Sequence, residues 1–340
     1  MARTIGVCVI GAGRAGLIHA GNFRAGVDGT TLVAVSDPSE KARNAATSTM
    51  GECRGYADYQ DALQDDRVDA VVVVAPTVFH REIVVAAAAA GKHVLCEKPM
   101  AMNATECHQM IEACEKAGVK LQVGFMRRFD DSFAAAKMRI QEGDLGAVNQ
   151  VKSLTHGPSV PQEWMLDIEK SNGPLAEVCS HDIDTVRWLG GADIKHVYAI
   201  AGNYRCRDQA KTYPDFYDTV VLLCSLENGV QGVIDGAVSV GYAYDARAEI
   251  LAENGVIQVG DLAANRVTTF KRGFSADFGA VRSWRNLFSE AYRREDEAFV
   301  EAIAGDTEPR VTGYDGLQAV MVVNAGNESI RTGKPVEVGG

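Results

Sequence analysis

Ile5-Gly6-Val7-Cys8-Val9-Ile10-Gly11-Ala12-Gly13-Arg14-Ala15-Gly16 decides the fold. Ile5 to Ile10 is a short, continuous apolar run, as expected of a strand buried on both faces. The glycines that follow have GxGxxG spacing between that strand and a helical stretch reaching about Arg24. Gly11 permits a tight turn, Gly13 lets a pyrophosphate approach the backbone, and Gly16 allows close helix–strand packing. The phosphates would lie at the N-terminus of the helix, where Arg14 and Ala15 present backbone N–H groups. A tight turn with no ligand could be spelled the same way, so the second half of the pattern matters. Leu32 to Val35 is another apolar strand, and it ends in Ser36-Asp37, about 20 residues beyond Gly16. A carboxylate there accepts hydrogen bonds from the adenosine ribose hydroxyls and repels a 2′-phosphate, which favours NAD over NADP. Lys41 and Arg43 lie close enough in sequence to pull the other way.

The alternation continues outward. Helices are expected at 39–50, 59–63, 80–90 and 103–117, and strands at 70–74, 92–96 and 119–124. Repeated βα units with buried strands make an open, doubly wound parallel sheet, a Rossmann domain placed at 1–128. Ligands of such sheets bind beyond the carboxyl ends of the strands. Thr77, Glu97, Lys98 and the segment Gly124-Phe125-Met126-Arg127-Arg128 all fall at such ends, so they are expected to line one crevice. In Cys96-Glu97-Lys98-Pro99 an apolar strand stops abruptly at an acid, a base and a proline. A lysine at the mouth of a nucleotide crevice can exchange a proton with a hydroxyl or donate to a developing alkoxide. Pro99 would hold the corner, and a cis bond suits such a turn.

Strand signals resume at Val148, and 129–340 reads as an α+β domain with an open, largely antiparallel sheet. Gly173 to Gly190 reads as one helix with a Gly-Pro start and a glycine stop. Glu177 and His181 stand four apart in it, so their side chains should meet on one face, the carboxylate holding the imidazole's tautomer. Strands follow at 194–201, 219–226, 230–240, 246–252, 256–259 and 267–270, with a hairpin turn at Glu227-Asn228-Gly229. The run Val220 to Leu223 is apolar on both faces, so helices should cover one side and another subunit the other. Tyr242 and Tyr244 are aromatic candidates for a pocket wall, with core tyrosines an equal reading.

At 340 residues the chain suits two domains, and 46% hydrophobic with 23% charged residues is an ordinary globular composition. A net charge of −11 argues against nucleic acid or anionic lipid as a main partner. The longest apolar run, Ile83 to Ala90, is too short to span a membrane, and no leader pattern precedes Ile5. The eight cysteines are scattered with no CxxC pair, which points to reduced core thiols in the cytoplasm and to no metal site.

The glycine loop, Ala75-Pro76-Thr77 with His80, Glu97-Lys98-Pro99 and Gly124-Phe125-Met126-Arg127-Arg128-Phe129-Asp130 together resemble the glucose–fructose oxidoreductase / inositol dehydrogenase / rhizopine-catabolism family. The last segment is especially similar to its inositol 2-dehydrogenases. The resemblance implies a homodimer or homotetramer formed through the C-terminal sheet. It implies cofactor contacts at Ala75, Thr77, His80, Glu97 and Lys98, and substrate contacts at Met126, Arg127 and Tyr244. It also implies that Lys98, His181 and Glu177 are catalytic, although inositol dehydrogenases carry aspartate where this chain has Glu177. The expected activity is NAD-dependent oxidation of a secondary alcohol of a cyclic polyol (myo- or scyllo-inositol) or sugar. The rivals on the same scaffold are a pyranose or glucoside 3-dehydrogenase, an NAD-dependent glycosidase and a non-enzymatic sugar sensor.

Overall fold

In a computed structural model of the chain, which describes residues 4–273 and 275–339, the Val- and Ala-rich runs pair as a single parallel sheet. Its strands are β1 (Ile5–Ile10), β2 (Thr30–Ser36), β3 (Arg54–Tyr56), β4 (Ala70–Val73), β5 (His93–Glu97) and β6 (Leu121–Gly124), in the order β3-β2-β1-β4-β5-β6. The side chains of Cys8, Val71 and Val94 stand side by side in register and are fully buried, which is why these strands lack a polar face. Helices Gly16–Ala25, Glu40–Met50, His80–Ala89 and Ala104–Ala117 make the crossovers. Ser39 and Asn103, read from sequence as the first residues of helices, are instead their N-caps: each side chain accepts a backbone N–H three residues on, from Ala42 and Glu106. The chain reverses its direction of travel across the sheet between β1 and β4, the position where doubly wound sheets open a crevice.

Two compact units result, and their boundaries correct the sequence division. The first holds the chain through Phe129 together with Ser289–Val320, whereas the sequence pattern places 129–340 whole in the second. The reason is hydrophobic. Helix Ser289–Ala304 buries Phe299 and Val300 in one cluster with Val7, Val9, Val72 and Leu95. After it, the N–H of Val123 in β6 donates to Val311 O at 3.1 Å, so the returning segment satisfies that strand's edge.

The second unit comprises Asp130–Phe288 and the chain from Met321. Its strands are β7 (Val148–His156), β8 (Ile194–Gly202), β9 (Thr219–Leu226), β10 (Gln231–Ala237), β11 (Asp245–Ala252), β12 (Gly255–Val259), β13 (Ala263–Lys271), β14 (Ser275–Ala280) and β15 (Val336–Glu337). Seven of them form a sheet in the order β12-β11-β7-β10-β9-β8-β15, antiparallel throughout except for the parallel pair β7 and β10. β13 and β14 pair separately, and β14 carries no apolar alternation from which to read it. Along β9 burial alternates: Val220, Leu222 and Cys224 face the covered side, while Val221 and Leu223 are exposed. Helix Ser180–Gly190 covers β7 and β10, with Ile183, Val186 and Leu189 almost wholly buried. Trp188 is only half-buried, its ring under the Lys137 ammonium at 5.9 Å.

Candidate active site

The parallel register brings the carboxyl ends of β1, β2, β4, β5 and β6 to one edge of the first unit. Gly11 turns there with φ +107°, and a Cβ on it would stand 2.6 Å from Val74 O. A Cβ on Gly16 would stand 1.8 Å from Gly11 O, so neither position tolerates a side chain. Above Gly13 a Cβ would meet nothing within 4 Å, which leaves room for a ligand against the backbone. The helix that follows has Ala15 as its N-cap, with no side-chain cap and no acid in its first turn. An uncapped positive helix end beside an open glycine is fitted to a diphosphate. Asp37 closes the loop from the side: Oδ2 accepts the Ala12 N–H and Oδ1 the Ser39 N–H, both at 2.8 Å. The Arg43 guanidinium lies beside the same loop, donating to Asp37 O at 2.7 Å. These residues would hold NAD, which supplies a hydride acceptor when bound.

The Glu-Lys-Pro corner follows β5, and the Lys98–Pro99 peptide is cis. Lys98 is half-buried, and its backbone N–H donates to Glu97 Oε2 at 3.0 Å. His80 holds the corner from behind. Its Nδ1 lies 2.9 Å from Pro99 O and its Nε2 2.7 Å from Ala75 O, and burial lowers its pKa. With 1% of its surface exposed, His80 ties the corner to the Ala75 loop instead of offering its ring to a cofactor. Thr77 is 2% exposed in a short 3-10 turn, Thr77–Phe79. Met126 and Arg127 lie in the turn Met126–Phe129 after β6, and both are buried. Arg128 is taken up by structure, donating to Asp315 Oδ1 at 2.9 Å.

Sequence reasoning missed what lies under this corner. Glu97 is only 4% exposed, and its Oε1 lies 3.1 Å from Nε2 of the fully buried His19. The other ring nitrogen of His19, Nδ1, lies 2.7 Å from Asp296 Oδ1 in helix Ser289–Ala304. Burial opposes the imidazolium, but the carboxylates of Asp296 and Glu97 outweigh it and hold the His19 pKa well above its usual value. Glu295 is wholly buried beside them. Burial first, and then the Glu97 charge, push its pKa well up. The sequence signal for it was a histidine three residues after Gly16, on the buried side of the phosphate-binding helix.

In the second unit the expected single helix from Gly173 to Gly190 is broken. It forms two helices, Gly173–Glu177 and Ser180–Gly190, because the N–H groups of Val178 and Cys179 both donate to Pro174 O at 3.0 Å. Cys179 at the break lies against β10 where residue 236 is glycine; a Cβ there would stand 2.1 Å from Cys179 Sγ. Helical spacing therefore does not set the approach of Glu177 to His181. The second helix is fixed by Asp182, fully buried, whose two carboxylate oxygens accept the hydroxyls of Ser153 and Thr155 at 2.6 Å each. His181 is thus carried at the first turn of an anchored helix, 6% exposed, while Glu177 is half-buried. Tyr244 is buried edge-on to Phe288, ring centroids 6.4 Å apart. Tyr242 is exposed and bonds His156 Nδ1 at 2.7 Å and Asp245 Oδ2 at 3.0 Å.

Residues 5–125 match the NAD-binding Rossmann-fold domain of an oxidoreductase family, and 137–338 match the C-terminal alpha/beta domain of the same family. The chain is 32% identical to the scyllo-inositol 2-dehydrogenase (NAD(+)) of Bacillus subtilis over 346 residues, covering 99% of this chain and 97% of that one. It is 35% identical to inositol 2-dehydrogenase 2 of Saccharopolyspora erythraea over 339 residues, 98% of this chain and 96% of that one. Among solved structures, scyllo-inositol dehydrogenase from Lactobacillus casei with bound NAD(H) and scyllo-inositol superposes with a TM-score of 0.92 at 27% identity, covering 99% and 100% of the two chains. With an open, uncapped glycine loop, Asp37 across it and a Lys-Pro corner at the same sheet edge, the chain belongs to the Gfo/Idh/MocA family of NAD-binding oxidoreductases.

Proposed function

We propose that the chain oxidises a secondary alcohol of a cyclic polyol, myo- or scyllo-inositol, to the ketone, with Lys98 and His181 as the acid–base pair. The observation that carries this reading is the Lys98 corner: a half-buried lysine at the open sheet edge, its backbone N–H capped by the Glu97 carboxylate and the next residue's carbonyl, Pro99 O, bound to His80. The inositol-dehydrogenase relatives support the polyol over other alcohols. In the proposed reaction the substrate O–H bond breaks toward His181, which takes the proton. A bound NAD would supply the acceptor for the carbinol hydride, and the C=O bond forms as the Lys98 ammonium donates to the developing oxyanion. Glu177 supports the charged imidazole. Arg127 and neighbouring polar groups read the remaining hydroxyls beside Met126 and Tyr244, and there a missing hydrogen bond discriminates strongly. A screen of NAD reduction with myo-inositol, scyllo-inositol, glucose and methyl glucosides tests the substrate class, and rates confined to the glucosides would overturn it. His181→Ala is expected to lower kcat about 100-fold and to remove one limb of the pH–rate profile. A variant as fast as the parent across pH would remove His181 from the reaction.

Glu177 favours one second reading. Its extra methylene sets the carboxylate about one carbon–carbon bond from where the family's aspartate would lie, and oxidation at C3 of a glucoside uses the same groups. No helix among the described residues is long and apolar enough to cross a membrane. All eight cysteines are free thiols, which supports a cytoplasmic setting.

The exposed face of the seven-stranded sheet is proposed to be covered by a second copy of the chain. Ile200 and Val221 are cross-strand partners on it, Leu223 lies two residues along β9, and all three are exposed. Replacing Val221 and Leu223 together by glutamate is expected to convert a dimer or tetramer to monomers in light scattering. Unchanged mass would place the interface elsewhere.

A further inference from the structure

The reading of Lys98 as the acid–base group leaves open what aims it, and the buried cluster beneath the corner answers that. Glu97 has two oxygens with two tasks: Oε2 caps the Lys98 N–H at 3.0 Å, and Oε1 faces His19 Nε2 at 3.1 Å. His19 in turn meets Asp296 at 2.7 Å, and the second Asp296 oxygen accepts Asn22 Nδ2 at 2.8 Å. The edge of the His19 ring is packed on Tyr292, ring centroids 5.4 Å apart and planes at 86°. We infer that His19 is a positioning residue: by bridging Asp296 and Glu97 it fixes the carboxylate that caps the Lys98 N–H, and so fixes the direction of the Lys98-Pro99 corner.

The geometry makes this specific. His19 lies on the helix whose N-terminus is the phosphate site, three residues past Gly16, so the bridge ties that helix to the strand end that bears Lys98. A carboxylate free to rotate could cap the same N–H from several rotamers. One with its other oxygen held by a buried ring has a single one. The ionisable groups that face His19 are Glu97 from β5 and Tyr292, Glu295 and Asp296 from helix Ser289–Ala304. His19, Glu97 and Glu295 are near enough together to suggest a cation site. Both His19 ring nitrogens are directed at carboxylates, however, so a proton on each accounts for the ring without an ion.

The test uses the full chain with His19→Gln, Asp296→Asn and Lys98→Met, alone and in pairs. His19→Gln is expected to lower kcat about 30-fold while NAD affinity, read by fluorescence titration, and substrate KM change less than threefold. In the Lys98→Met background His19→Gln should cost almost nothing further, since the group it aims is already gone. Asp296→Asn, which keeps the shape of the clamp, should give an intermediate loss and serves if His19→Gln does not fold. In ¹⁵N spectra of the parent, the His19 ring, assigned by its disappearance in His19→Gln, should carry protons on both nitrogens at pH 8. A normal kcat with only a lowered melting temperature, a neutral His19 ring, or one equivalent of metal surviving chelation and lost in Glu295→Gln would each overturn the inference. Full activity of Lys98→Met alone would instead overturn the functional reading on which it rests.

Discussion

Lys98→Met is expected to lower kcat by about 10³-fold while the protein still binds NAD with parental affinity. Methionine keeps the unbranched stem and most of the volume of lysine but removes the ammonium. The corner should survive the change, because what holds it is backbone. The Lys98 N–H reaches Glu97 Oε2, Pro99 O lies 2.9 Å from His80 Nδ1, and neither bond uses the lysine side chain. The half-buried stem also limits the collapse available to a shorter residue. The lost factor is that of one preorganised donor to the developing oxyanion, worth about 10²–10³ when removed. Stopped-flow measurement of NADH formation separates the hydride step from product release. A hydride rate within tenfold of the parent would move the chemistry away from this residue, whatever the steady-state rate did.

Stability is expected to fall as pH rises above about 6.5, and the cluster under the corner is the cause. His19 is held protonated in the fold, with a pKa well above its usual value, whereas in the unfolded chain it loses its proton near pH 6.5. Its contribution is therefore complete below that pH and is lost as pH climbs toward the folded value. Glu295 acts with the same sign. Burial and the Glu97 charge raise its folded pKa, so above about pH 4.3 the fold retains a proton that the unfolded chain has released. Asp296, raised by burial against the pull of His19, adds to the trend in the acid range. Each proton held by the fold and not by the unfolded chain costs about 1.4 kcal/mol per pH unit. Glu295→Gln, neutral in both states, should flatten the fall of unfolding free energy with pH above about pH 4.3 by up to that amount, measured by urea unfolding at several pH values. A slope identical to the parent's would mean that Glu295 is ionised in the fold.

The two halves of this behaviour were unequally visible beforehand. The Rossmann unit could be read because its signals are local: each apolar run is a strand, each glycine or asparagine beside a periodic stretch ends or caps a helix, and Gly11, Gly16 and Asp37 act through neighbouring backbone. The cis Lys98–Pro99 corner was legible for the same reason. The helix bearing His181 was less so. Its composition reads as continuous from Gly173, and only the close seat of Cys179 on Gly236 of β10 accompanies the break.

What the sequence determined by itself was the order of strands and helices, the nucleotide loop, and the residue types at the sheet edge, all of which follow from periodicity and from contacts a few residues long. What only tertiary structure decided was which distant side chains share a buried space. His19 and Asp296 are 277 positions apart, and nothing in either neighbourhood marks them as partners. They meet because Phe299 and Val300 bury themselves among the strands of the first unit, drawing Ser289–Val320 back to it. The physical reason is that hydrophobic burial is non-directional: it selects the segments that come together, and the polar groups carried with them must then find hydrogen-bond partners on arrival.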